Sequence, residues 1–414
     1  MILLRHALLP FCLIFFSSYS AAAFDLVKRS WCHFQMPNLD LISDLPPDQA
    51  EALLVRLERF DRAASALLEQ GDAVSRPRLK VLVFAKRRDF ERVFDSPSFA
   101  GFMCGSIYEN LLAVGADSAG EHLVGNLMHE YVHHMLRNDP RGAWPLWYEE
   151  GLASFLATLT VNERGVVVGA TTKHQPERLH RQGYWDEHEV RYLDAPTSLP
   201  DGDTVWLRDL LATGSSADAR GTAIHDFYQR SWLLVHLLRH GHLAGFADRR
   251  SVLDAYLEVL RAGGEPVQSF VRLLDENLVE LARDFGRYRH RGRFPIQEIA
   301  LSLPAPSAVV TVGCLESGEV AYQLGMASST IHPGFARDAF DWLVERSSDD
   351  ARPYVGYSVI ERADGRGLPR ERQPRMPSAV ATGRGGVSGR IGPGACTHGC
   401  ALRSRRCSLS FGRI

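Results

Sequence analysis

The chain has 414 residues, of which 45% are hydrophobic and 23% charged, the profile of a globular protein with room for one large core and a smaller module. Its net charge of −2 hides a division: residues 364–414 carry ten Arg, no Lys and two acids, which leaves −10 on the rest. An acidic folded body repels phosphates, so no nucleic-acid partner is expected.

In chain order, the first 23 residues have the layout of a secretory signal. Arg5 supplies the leading charge, residues 7–16 are apolar, and Ala21-Ala22-Ala23 fits the cleavage pattern, with a mature chain starting at Phe24. The apolar run is shorter than the ~20 residues of a membrane-spanning helix. No stable membrane span is therefore expected after cleavage, and the protein is expected in a periplasm or the medium. Export permits disulfides. Cys32, Cys104 and Cys314 are too scattered to form a framework, with a single Cys32–Cys104 bridge as one option.

Pro46-Pro47-Asp48 opens an amphipathic helix over 50–68, followed by a strand over 79–84, a helix over 86–94 and a strand over 111–114, preceded by turn-prone Gly101 and Gly105. Ser118-Ala119-Gly120-Glu121 reads as a capping box, and its helix runs to about Arg137, where Asn138-Asp139-Pro140 stops it. Pro145 starts another helix over 146–159. Residues 174–204 read as a long surface loop, and further helices fit 222–240, 251–262 and 266–288.

Beyond Pro304 come helices over about 316–326 and 334–345, then the segment 351–357. Ala321, Leu324-Gly325, Ala336, Ala339-Phe340 and Leu343 make this region resemble one tetratricopeptide-type unit. Such units are stabilised by stacking on neighbours, so a docking surface or a protein partner is expected. The Gly/Arg/Pro/Ser-rich tail cannot bury enough surface to offset its ordering entropy. The expected divisions are a signal peptide (1–23), an N-terminal α/β part (24–115), a helical catalytic part (116–300), a helical appendix (304–363) and a disordered basic tail (364–414).

The chemistry concentrates in His129-Glu130-Tyr131-Val132-His133, a match to H-E-x-x-H. Residues four apart on a helix point the same way, so both imidazoles can meet one metal ion. Glu130, one step round the helix, is placed to act on a water as general base rather than as a ligand. Leu127, Met128, Val132, Met135 and Leu136 surround this polar stripe, so its histidines need partners. A catalytic zinc takes three protein ligands, and Glu149 and Glu150 follow after a stretch long enough for a turn and a second helix. Gly151 would allow that second helix to approach closely. His236 and His240 form another i,i+4 pair, but no carboxylate element follows them, and they read as solvated helix-end histidines.

The H-E-x-x-H match followed by Trp147, Glu150, Gly151 and Ala153 in a W-x-x-E-G-x-A element resembles the gluzincin metallopeptidases, such as aminopeptidase-N-type and thermolysin-like enzymes. It is most similar to the peptidase-MA-like domains of secreted bacterial proteins. The looser likeness spans residues 40–290. The resemblance implies an α+β, zincin-like fold, with a small mixed N-terminal sheet and a mainly helical catalytic half. It implies one Zn2+ per chain held by His129, His133 and Glu150, with Glu149 beside the site and Glu130 as general base. It further implies Tyr228, with His225 behind it, as the oxyanion donor, and a peptide or protein substrate that pairs with the 111–114 strand. The chain lacks the exopeptidase G-x-M-E-N motif, so aminopeptidase activity is not implied. Two other readings of the same residues are a non-catalytic protein-binding scaffold and a zinc hydrolase of non-peptide amides.

Overall fold

The computed structural model describes residues 25–68, 76–96, 101–105, 110–116, 123–139, 142, 144–171, 204–213, 222–274, 278–291, 294–347 and 349–363. The signal segment, the 118–121 capping box, residues 174–203 of the expected loop and the basic tail lie outside them. The described chain is a mixed α+β structure in two compact units. The larger holds Ser30–Arg92 and Ser96–Leu315; the other holds the helices after Glu316.

The larger unit is built on a six-stranded mixed sheet. Its strands are β1 (Cys32–Met36), β2 (Leu39–Ser43), β3 (Leu79–Phe84), β4 (Gly101–Gly105), β5 (Asn110–Gly115) and β9 (Val310–Cys314), in the order β4-β5-β3-β2-β1-β9. Strand β3 runs parallel to both β2 and β5, while β4, β1 and β9 pair antiparallel to their neighbours. The parallel centre explains β3 itself: Leu79, Val81, Leu82, Val83 and Phe84 are all buried, an apolar run broken only by half-buried Lys80, as in a strand covered on both faces. Helix α1 (Pro47–Leu67) turns Ala50, Leu53, Leu54, Leu57, Phe60 and Ala64 inward at helical spacing and packs on β1 and β2. Helix α2 (Arg87–Phe94) follows β3.

The rest of the unit is mainly helical. Helices α3 (Leu123–Arg137), α4 (Leu146–Leu156), α5 (Val205–Ala212), α6 (Thr222–His240), α7 (Arg250–Arg261), α8 (Pro266–Leu273) and α9 (Leu278–Arg291) share one hydrophobic core with the sheet. Between them, β6 (Thr160–Asn162), β7 (Gly165–Val168) and β8 (Gln297–Ala300) form a small antiparallel sheet. The run expected as one helix over 266–288 is two. Glu265 caps the first, accepting hydrogen bonds from the Val267 and Gln268 amides.

Several expectations are corrected. The 111–114 segment is β5, an interior strand, and the sheet edge next to it is β4. The glycines that read as turn signals are the first and last residues of that edge strand, and at Gly101 the Cβ position is already filled by Val114. The 304–363 segment is not uniformly helical, since β9 joins the main sheet beside β1. A Cys32–Cys104 bridge is absent: Cys104 is disulfide-bonded elsewhere, and Cys32 is free and faces Cys314. Among the described residues no helix is long and apolar enough to cross a membrane.

The smaller unit contains α10 (Ser317–Ser328), α11 (Pro333–Arg346) and α12 (Arg352–Ala363). Phe340 is its centre, because Gly325 and Gly356 leave no room for a Cβ against that ring. The third helix, expected only as a short segment, packs on both of the others and covers the face that a helical pair leaves open.

His236 and His240 are not solvated; they are 0% and 4% exposed. His236 Nε2 donates to the Gly169 carbonyl at 2.9 Å, which leaves Nδ1 to accept from the Tyr288 hydroxyl at 2.7 Å. Burial pulls the His236 imidazole down to about 3 and that of His240 to about 4. The unfolded chain protonates these groups near pH 6.5 and the folded chain does not, so stability falls as pH drops from about 6.5 toward these values. The slope is about 1.4 kcal/mol per pH unit for each histidine. Urea midpoints measured from pH 7.5 to 4.5 should fall accordingly, and His236→Asn should give a shallower slope. An unchanged slope would remove His236 as a cause.

Candidate metal centre

Helix α3 is buried on nearly every side. Its apolar residues Leu127, Met128, Tyr131, Val132, Met135 and Leu136 are inside, and so is the polar stripe of Asn126, His129, Glu130 and His133. Polar groups withdrawn from water must find one another or an ion. The four-residue spacing brings the two imidazoles together edge to face, with Nε2 of His129 3.2 Å from Nε2 of His133.

Helix α4 crosses beside them and delivers Glu150, which is 0% exposed. Its Oε2 lies 3.4 Å from His129 Nε2 and 3.3 Å from His133 Nε2. Among the described residues this is the only cluster of three His, Cys, Asp or Glu side chains with ligand atoms close enough to hold a metal ion. Ligands held at about 2.0–2.1 Å in a tetrahedral site stand about 3.3 Å apart, so the triangle has the edges that such an ion requires. Both Glu150 oxygens and Glu130 Oε2 are buried without a hydrogen-bond partner, and a cation in the triangle would meet the part of that deficit that falls on Glu150. The residues fit a metal.

Glu149, the neighbouring carboxylate, reaches the other side of the same imidazole. Its Oε1 lies 2.9 Å from His133 Nδ1 and accepts from Arg137 Nε at 3.0 Å. Arg137 in turn donates to the Met103 carbonyl of β4 at 3.1 Å. The chain from strand to arginine to carboxylate to imidazole holds the ring so that Nε2 points into the triangle.

Electrostatics follow from this crowding. Burial opposes charge on both members of the His133–Glu150 pair, but each outweighs that penalty for the other: His133 is raised and Glu150 lowered. Burial also works against ionisation of Glu149, and His133 and Arg137 overcome it. For Glu130 burial wins over the nearby histidines, and its carboxyl is raised.

Tyr228 lies on α6, buried in the same core with its ring 5.8 Å from that of Phe227. The side chain of His225 is outside the described residues. His134 faces away from the triangle, with its ring against Tyr131 at 5.6 Å and Nδ1 3.2 Å from Asn138 Nδ2. The close approach at Gly151 is made by α6, not α3: a Cβ there would collide with the Ser231 carbonyl and Val235. Trp147, fully buried, anchors the same helix against Tyr256 and Phe270, each ring at 6.1 Å. The part of Arg137 was not read from the sequence, although it follows His133 by four residues on the same helix face.

No protein-family model matches the chain, and no curated protein is similar to it in sequence.

Two substitutions test the support of this group. Glu149→Ala strips His133 Nδ1 of its carboxylate and should weaken metal affinity about 10–100-fold in a chelator competition, without removing a ligand. Gly151→Ala should lower stability by about 1–3 kcal/mol in urea, because α6 must move away from α4. An unchanged midpoint would show that the two helices do not meet there.

Proposed function

We propose that the chain is an exported, zinc-dependent peptidase of the gluzincin type with a zincin-like catalytic unit. The observation that carries this reading is the buried triangle of His129, His133 and Glu150, with Glu130 buried one residue along α3. Two imidazoles and one carboxylate are a donor set suited to zinc, and three protein ligands leave a position for substrate. Export rests on the sequence of the first 23 residues, and a protein partner for the smaller unit rests on its tetratricopeptide-like pattern.

When bound, zinc supplies a Lewis acid that polarises a carbonyl and lowers the pKa of water. His129, His133 and Glu150 hold it, and Glu149 with Arg137 keeps the His133 ring in orientation. Glu130 takes the proton of the attacking water on its carboxylate and passes it to the leaving amine nitrogen. Tyr228 donates from α6 to the oxygen on which charge develops. Strand β4 lies alongside: the Cβ position at Gly101 is 3.4 Å from Glu130 Cγ. It is also the terminal strand of the sheet, and an extended peptide can pair with that edge next to the general base.

The test is metal content and cleavage in parallel. The purified chain should carry one zinc, retained by Glu130→Gln and lost by Glu150→Ala. A peptide library should be cut by the wild type and at least 100-fold more slowly by Glu130→Gln. Zinc retained in Glu150→Ala would refute the ligand set. Zinc without peptide cleavage, but with turnover of small amides, would move the substrate from peptides to non-peptide amides.

A further inference from the structure

The two free cysteines of the larger unit face each other at the edge of the main sheet. Cys32 opens β1, Cys314 closes β9, and the antiparallel register sets them directly opposite. Their Sγ atoms are 2.8 Å apart. That is about 0.8 Å more than the bonded separation in a disulfide. Directly opposed residues in such a pair place their Cβ atoms roughly 4.5–5.5 Å apart, close to the roughly 3.5–4.5 Å that a disulfide spans. The backbone beside them is held in register by a hydrogen bond from the Leu315 amide to the Trp31 carbonyl at 2.7 Å. No large rearrangement separates these thiols from a bond.

We propose that Cys32 and Cys314 are a disulfide-forming pair that staples β9 to β1. In the first step the Cys314 thiolate attacks one sulfur of a small-molecule disulfide, breaking its S–S bond, forming a mixed disulfide and expelling one thiolate. Cys32, its proton lost to solvent, then attacks Cys314 Sγ and expels the second thiolate. Two cysteine thiols are oxidised by two electrons, and one disulfide is reduced to two thiols that take up the two protons. The order follows from the surroundings. Cys314 is exposed, and its contacts with Cys32 and with Ser30 Oγ hold its thiol below the ordinary value. Cys32 is buried, and burial together with Cys314 pushes its thiol up, which suits the resolving partner.

The consequence is structural. The bond would join positions 282 residues apart and so restrict the unfolded chain strongly. It would also pin an outer strand that exposes Val310 and Val312. Strands β1 and β9 stand at the opposite end of the sheet from β4 and β5, on which α3 packs, so the staple acts on stability and not on the metal group. It is independent of the peptidase reading.

The test uses the full purified chain. Incubation with glutathione disulfide, blocking of free thiols with N-ethylmaleimide and non-reducing peptide mapping should give the Cys32 and Cys314 peptides as one linked species. The oxidised wild type should melt roughly 5–10 °C above Cys314→Ser given the same treatment. Both cysteines recovered as maleimide adducts, Cys32 linked to another cysteine, or Cys314 carrying only glutathione would overturn the pairing. A linked pair with no difference in melting would overturn the stapling role.

Discussion

Burying charge in a helical core is the constraint on which the structure turns. His129, Glu130, His133 and Glu150 are each no more than 3% exposed, and carboxylates and imidazoles in that position must compensate one another or be compensated by an ion. Close approach alone only partly solves the problem. Glu150 keeps both oxygens without hydrogen bonds while sitting 3.3–3.4 Å from two imidazole nitrogens, an arrangement that leaves a place for a cation between them.

Much of the surrounding packing acts to keep that arrangement. The α4 backbone lies against α6 because Gly151 has no Cβ, and Trp147 locks the same helix into an aromatic cluster. On the other side, Arg137 links Glu149 to the Met103 carbonyl, so the edge strand and the His133 ring are parts of one hydrogen-bonded chain. The sheet, α3 and α4 therefore share their supports, and a change in the orientation of α4 would be felt at both Glu149 and Glu150.

Periodicity made the helices and β3 legible, because an apolar face at period 3.6 or the apolar run of Leu79 and Val81-Leu82-Val83-Phe84 follows from residue type alone. It failed for β1 and β2. Both are five-residue strands: the alternation of Cys32, Phe34 and Met36 with His33 and Gln35 in β1 is too brief to stand out, and β2 does not alternate throughout. It failed for β9, whose Val310 and Val312 are exposed and carry no inward pattern. The burial of the α6 histidines is illegible in the sequence for a different reason. Their sequence neighbours do not reveal that Gly169 and Tyr288, distant in the chain, would satisfy His236 inside the core.

What the sequence determined by itself is local: that His129 and His133 share a helix face, that Glu130 stands one step round it, and that a second helix carrying two carboxylates follows. These depend on helix geometry, which is the same in every fold. Which carboxylate meets both imidazoles and which steadies one ring from behind depends on how α4 packs beside α3. The same holds for β4 as the edge strand beside α3 and for Cys314 as the residue opposite Cys32. Such choices rest on contacts between segments far apart in the chain, and no local pattern encodes the distance between them.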